Sequence, residues 1–82
     1  MEEIRIERLN GVYYRLSDNY GEIEFSRSYN KIKDLYDNYT TDKDLQEELY
    51  GISGFHIVLE KEVYDNGRLI DNEPLLEYEY NY

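Results

Sequence analysis

The sequence predicts an α+β fold: an antiparallel sheet of about five strands, in the order βββ-α(α)-ββ, with one or two helices packed on one face. Three observations predict it. Apolar residues alternate with polar ones toward both ends of the chain, a helical spacing of three and four interrupts them in the middle, and glycine-containing turn pairs separate the alternating runs. The length, 82 residues, fits one domain, 1–82.

Each element has its own signal. Ile4 and Ile6 precede Asn10-Gly11, and Val12, Tyr14 and Leu16 follow it, so residues 3–9 and 12–17 are predicted as a hairpin about that pair. Ser17-Asp18-Asn19-Tyr20-Gly21 has turn chemistry, and Ile23 and Phe25 alternate with Glu22 and Glu24 in a third strand. Ser28 is then positioned as an N-cap, with Ile32, Leu35, Tyr36 and Tyr39 forming the apolar stripe of a helix. Asn38 to Thr41 reads as a break. A second short helix is expected after it, capped by Thr41, carrying Leu45 and Leu49 one turn apart and ending at Gly51. Phe55, Ile57, Leu59 and Val63 fall on one face of the next strand, and His56, Val58, Glu60, Glu62 and Tyr64 on the other. Asp65-Asn66-Gly67 is a second tight turn, making 55–64 and 68–80 a hairpin. Pro74 cannot donate a ladder hydrogen bond, so the last strand is expected to be broken, bulged or at an edge.

Composition narrows the function classes. Nineteen Asp and Glu face nine Lys and Arg, a net charge of −10. Ile, Val, Leu and Phe make up 21 of the 82 residues, enough to put the chain above the disordered range. Eleven tyrosines extend a thin core, their hydroxyls reaching the rim. The absence of cysteine excludes disulfides, thiolate nucleophiles and thiolate zinc sites. An anionic surface repels phosphates and anionic lipids, so neither direct nucleic-acid binding nor membrane binding is expected. The longest apolar run, Ile57-Val58-Leu59, is far short of a membrane span, and no secretory leader is visible; cytoplasmic residence is the expectation.

An enzyme would have to use carboxylates, tyrosines or the single histidine, His56. So many acids bring carboxylate pairs together by chance, and a small sheet with one covered face leaves little room for a pocket of roughly 300 Å³ or more. A non-catalytic protein without cofactor or metal is therefore expected. Asp42-Lys43-Asp44 and Asp65-Asn66-Gly67 do not continue into an EF-hand loop. Helix-start charge and a hairpin turn account for them better. His56 reads as a structural or surface residue.

The acids carry most of the information. Residues i and i+2 of a strand point the same way about 6.6 Å apart, and Glu22/Glu24, Glu60/Glu62 and Glu77/Glu79 are three such pairs. With Asp44, Glu47 and Glu48 on the second helix they form a candidate phosphate-like array. Tyr78 and Tyr80 join them as candidate contact residues, since tyrosine buries much area at low entropic cost. Residues 54–82 carry seven acids and two bases, the most negative third of the chain. Solvation and discouragement of edge pairing are the plainer account of such acids, but −10 also weakens a small fold by self-repulsion, which favours a binding role.

A small, cysteine-free, acidic, Tyr- and Asn-rich α+β chain with carboxylate pairs such as Glu60/Glu62 and Glu77/Glu79 resembles the inhibitors encoded by bacteriophages and mobile elements, among them anti-CRISPR and anti-restriction proteins that imitate nucleic acid. The likeness is one of type and assigns no residue roles. It implies a monomer or homodimer in the bacterial host cytoplasm that blocks the basic nucleic-acid-binding surface of a defence nuclease. Two alternatives use related physics: an immunity or antitoxin-like protein neutralising a basic toxin, and a structural or regulatory protein pairing through a sheet edge.

Overall fold

The computed structural model describes residues 10–51 and 54–80. The strand expected over 3–9 lies outside the described residues; residues 12–17, the other half of the hairpin expected about Asn10-Gly11, are described and are paired on both sides, with 22–26 along 14–17 and with 58–63 along their whole length. The elements are β1 (Gly11–Asp18), β2 (Gly21–Ser26), α1 (Tyr29–Thr41), α2 (Lys43–Tyr50), β3 (Phe55–Asp65) and β4 (Arg68–Tyr80). The four described strands form one antiparallel sheet in the order β2-β1-β3-β4, and α1 lies across β1, β2 and β3. The fold is α+β.

Turn chemistry sets the hairpins. Asn66 and Gly67 have φ of 54° and 76°, the left-handed pair of a two-residue turn, flanked by the Asp65–Arg68 pair. In the turn between β1 and β2, one carboxylate oxygen of Asp18 accepts from the backbone N–H of Tyr20 (2.8 Å) and of Gly21 (3.2 Å). Asn10 and Asn19 tie segments distant in sequence: their side-chain oxygens accept from Asn66 N–H in the β3–β4 turn (2.6 Å) and from His56 N–H at the start of β3 (2.8 Å).

Ser28 caps α1, its hydroxyl accepting from Lys31 N–H at 3.2 Å. The helix then runs through the expected break at Asn38–Thr41. The hydroxyls of Thr40 and Thr41 donate to the carbonyls of Tyr36 (2.8 Å) and Asp37 (2.6 Å), so these polar residues bond back inside the helix rather than ending it. The second cap is therefore Asp42 and not Thr41. Asp42 is extended (φ −85°, ψ 100°), its N–H donates to Asn38, and its carboxylate accepts from Leu45 N–H at 3.1 Å. One residue thus closes α1 and opens α2. Gly51 ends α2 at φ 64°, a conformation that would strain any side chain.

The core lies between α1, α2 and the sheet. Leu16, Ile32, Ile57 and Leu59 are fully buried, joined by Tyr50 and Phe55, with Leu35, Tyr36, Tyr39, Leu76 and Tyr78 packed around them. Leu16 sits directly opposite Leu59. From α2 the anchor is Tyr50 rather than the expected Leu49, which is 45% exposed. The Tyr50 ring stacks on Phe55 at 4.4 Å, and its hydroxyl donates to the second carboxylate oxygen of Asp18 at 2.6 Å. Burial, and then that carboxylate, hold the Tyr50 hydroxyl well above its ordinary pKa of 10.0.

A second, smaller apolar cluster occupies the sheet face away from the helices. Tyr13 and Tyr64 are 5% and 7% exposed there. Phe25 stacks on Tyr13 at 4.9 Å and Tyr64 meets it edge-on, while the Arg27 guanidinium lies 4.7 Å over the Tyr13 ring and donates to its hydroxyl at 2.9 Å. The sheet thus carries buried aromatic or aliphatic side chains on both faces. No described helix is long and apolar enough to cross a membrane.

Two predictions follow from this packing. Leu59→Ala should lower unfolding free energy by about 2–5 kcal/mol in urea, and Leu49→Ala by less than about 0.5 kcal/mol; equal losses would overturn the placement of the core. Tyr50→Phe should cost about 1–2 kcal/mol at neutral pH, the loss of one hydrogen bond to a charged acceptor. Because the folded state holds the Tyr50 proton more tightly than the unfolded chain, its stabilisation is complete below pH 10.0 and fades as pH rises toward the folded pKa. The stability curves of the wild type and Tyr50→Phe should therefore converge above pH 10.0.

Candidate functional site

The acids expected to form rows divide into two groups. Glu22, Glu60 and Glu62 converge on Arg15, which projects from β1 on the face away from the helices. The Arg15 guanidinium lies 3.2 Å from Glu22, 3.2 Å from Glu60 and 3.8 Å from Glu62. Asn72 donates to the other oxygen of Glu60 at 3.2 Å, and the Tyr64 hydroxyl donates to Glu62 at 2.8 Å. Glu62 is 5% exposed, turned in under its neighbours, and so is not a surface carboxylate. One cation is shared by three anions here, so the cluster stays net negative, and several of the acceptor positions are filled by protein donors.

The Glu22/Glu24 pair is split. Leu16 pairs with Glu24 and Ser17 with Glu22, leaving Ile23 as the extra residue of a bulge. The inserted residue breaks the two-residue alternation. Glu22 therefore meets Arg15 on the open face, while Glu24 turns to the helix side and pairs with Lys31 of α1 at 3.2 Å. In the sheet of described strands β2 and β4 lie at opposite ends of the order, separated by β1 and β3, so the acids of β2 cannot continue a row along β4.

The second group is exposed. On β4, Glu77 and Glu79 face the open side opposite Val58 and His56, and Glu77 lies 3.3 Å from the His56 ring. His56 is thus a surface residue with a carboxylate neighbour. Tyr78 turns the other way and packs on the core, and Tyr80, 41% exposed, stacks on Phe55 at 5.5 Å. On α2, Asp44, Glu47 and Glu48 are exposed. Among the described residues, Asp34, Asp44, Glu47, Glu48, Asp65, Asp71, Glu73 and Glu79 take no ion pair and no side-chain hydrogen bond, and Lys43, Lys61 and Arg68 are the corresponding cations. Apart from Asp34 on α1, these unpaired acids lie on α2 and the β3–β4 hairpin.

Between α2 and the end of β4 runs an open groove of about 400 Å³, lined by Lys43, Asp44, Glu47, Phe55 and Tyr80. The fold therefore has more concave surface than its size suggested. Two solvated carboxylates one helical turn apart, beside two aromatic rings, suit a cationic side chain. The described residues contain no group of three or more His, Asp or Glu able to hold a metal ion. Asp42 is committed to its cap, and Asp65 to Gly67 to their turn.

Arg15 is the residue that sequence reading passes over. Its only local signal is alternation with Tyr13 in a strand. The acids that surround it come from β2 and β3, and Glu60 lies 45 positions away. No protein-family model matches the chain, and no curated protein or solved structure matches it.

Replacing Arg15 by Met should destabilise the fold by roughly 2–3 kcal/mol, below the full cost of breaking a buried pair because Arg15 is partly solvated. Adding Glu62→Gln should recover much of that loss, since the buried carboxylate is the uncompensated charge. A double variant no more stable than Arg15→Met would show that Glu62 does not depend on Arg15.

Proposed function

We propose that this chain is a non-catalytic binding protein that places its acidic surface on the basic nucleic-acid-binding surface of a partner, in the manner of a phage-type inhibitor of a bacterial defence nuclease. The observation that carries this reading is the segregation of charge. The acids of the sheet centre have protein partners in Arg15, Asn72 and Tyr64, whereas Asp44, Glu47 and Glu48 on α2 and Asp71, Glu73 and Glu79 on β4 stand in solvent without ion pairs.

The physics is that of steered association. Uncompensated carboxylates on adjoining elements set up a negative potential that raises the rate of encounter with a cationic cleft, and arginine in that cleft is bound bidentately. Glu77 and Glu79, two residues apart on one face of β4, have the spacing of about 6.6 Å between successive same-face strand positions, close to that of successive phosphates. The exposed ring of Tyr80 supplies apolar contact beside Asp44 and Glu47 in the groove, where an arginine could stack as well as pair. The acids at the centre of the sheet have a structural part in this scheme: they hold β1, β2 and β3 together through Arg15.

The test is cleavage inhibition across a panel of purified bacterial restriction and RNA-guided nucleases. The reading expects at least one to lose DNA cleavage at a one-to-one ratio, with inhibition weakening at least tenfold as salt rises from about 50 to 500 mM, because screening shortens the reach of exposed charges. Reversing Glu47, Glu48 and Glu79 to Lys should abolish the effect while leaving the unfolding midpoint nearly unchanged. Inhibition unaffected by both salt and charge reversal, or none across the panel, would overturn it.

A further inference from the structure

β4 is a sheet edge. It is 13 residues long and pairs with β3 along one side; among the described residues nothing pairs with the other. Its two halves differ. In the first, the register jumps from the Val63–Asp71 pair to Tyr64–Leu69, leaving Ile70 as an extra residue, and from Leu59–Leu76 to Glu60–Pro74, leaving Leu75 as another. Two bulges and a proline without an N–H make Arg68–Pro74 a poor template for another strand. From Leu76 to Tyr80 the ladder against β3 runs without a shift. This half has a regular backbone and no proline.

Its side chains are sorted. Leu76, Tyr78 and Tyr80 lie opposite Leu59, Ile57 and Phe55 on the helix side, and Glu77 and Glu79 lie on the open side. A second copy of this chain is a poor occupant. Antiparallel self-pairing would set these carboxylates near their counterparts, between molecules that each carry −10. The same charge favours the opposite kind of strand.

We propose that the outer edge of β4 over Leu75–Tyr80 accepts an extended segment of a partner protein as an added strand, a segment in which lysine or arginine alternates with apolar residues. The basic side chains lie beside Glu77 and Glu79 on the open face. The apolar ones extend the row of Leu76, Tyr78 and Tyr80, with Leu75, 39% exposed at its bulge, at the start of the strip. Main-chain hydrogen bonds hold the strand and the alternation selects it. This deepens the reading of the chain as a binder of basic proteins, naming the backbone feature it uses.

The probe is an end-capped peptide, Lys-Val-Arg-Ile-Lys-Val-Arg, titrated into the ¹⁵N-labelled protein. The expected result is saturable binding with shift changes and slowed amide exchange confined to Leu75–Tyr80, and at least tenfold weaker binding by the same peptide N-methylated at alternate residues. Glu77→Lys with Glu79→Lys, both exposed positions, should weaken the basic peptide at least tenfold and bind its Glu-substituted counterpart instead. If those variants unfold, the N-methylated peptide still decides the question. Equal binding of the N-methylated peptide, shifts centred on Asp44, Glu47 and Glu48 without protection in β4, no binding, or a stable homodimer by light scattering would each overturn the added strand. The nuclease panel stands or falls separately, since it reads charge and not strand pairing.

Discussion

The pairing of β1 with β3 is the constraint on which the rest depends. It sets Leu16 against Leu59 on the helix side and Arg15 against Glu60 on the other. In one register, the apolar residues of both strands meet beneath α1, and the one arginine of β1 meets the acids of β3. A slip by one residue would put Leu16 opposite Glu60 and Arg15 opposite Lys61 in one direction, or Arg15 opposite Leu59 in the other. Register, core and charge pairing are thus a single choice.

That choice explains how a chain of net charge −10 holds a thin core. The fully buried side chains are few, and aromatic rings do much of the remaining work: Tyr50 and Phe55 under α2, and Tyr13, Phe25 and Tyr64 on the far face. Tyrosine suits this because its ring can be buried while its hydroxyl finds a partner, as Tyr50 does with Asp18 and Tyr64 with Glu62. These tyrosines are structural. The same hydrogen bonds take Asp18 and Glu62 out of the surface charge, leaving the exposed acids of α2 and β4 as the chemically available ones.

Much of the architecture was legible in the sequence because its signals are local. Asn66-Gly67 needs no neighbour to favour positive φ, Ser28 meets the N–H three residues on, and the Ile32, Leu35, Tyr36 and Tyr39 stripe follows from helical geometry. The misreadings arose where a residue had two local options. Thr40 and Thr41 could end a helix or bond back within it, and Asp42 beside them offered the better cap. Leu49 and Tyr50 are neighbours on a short helix, and only the approach of Phe55 and Asp18 determines which turns inward.

Residue order by itself determined the fold class, the turns at 17–21 and 65–67, the start of the first helix and the end of the second, and the excess of negative charge, since each depends on backbone preference or on counting. Tertiary structure decided which carboxylates are spent and which are free. Glu22 and Glu24 look equivalent as a pair, yet the bulge at Ile23 sends one to Arg15 and the other to Lys31. Glu62 and Glu79 look alike as strand acids, yet one is buried against Tyr64 and the other lies on an open edge. The physical reason is that an ion pair between distant positions exists only once the strands are in register, and register is a property of the assembled sheet.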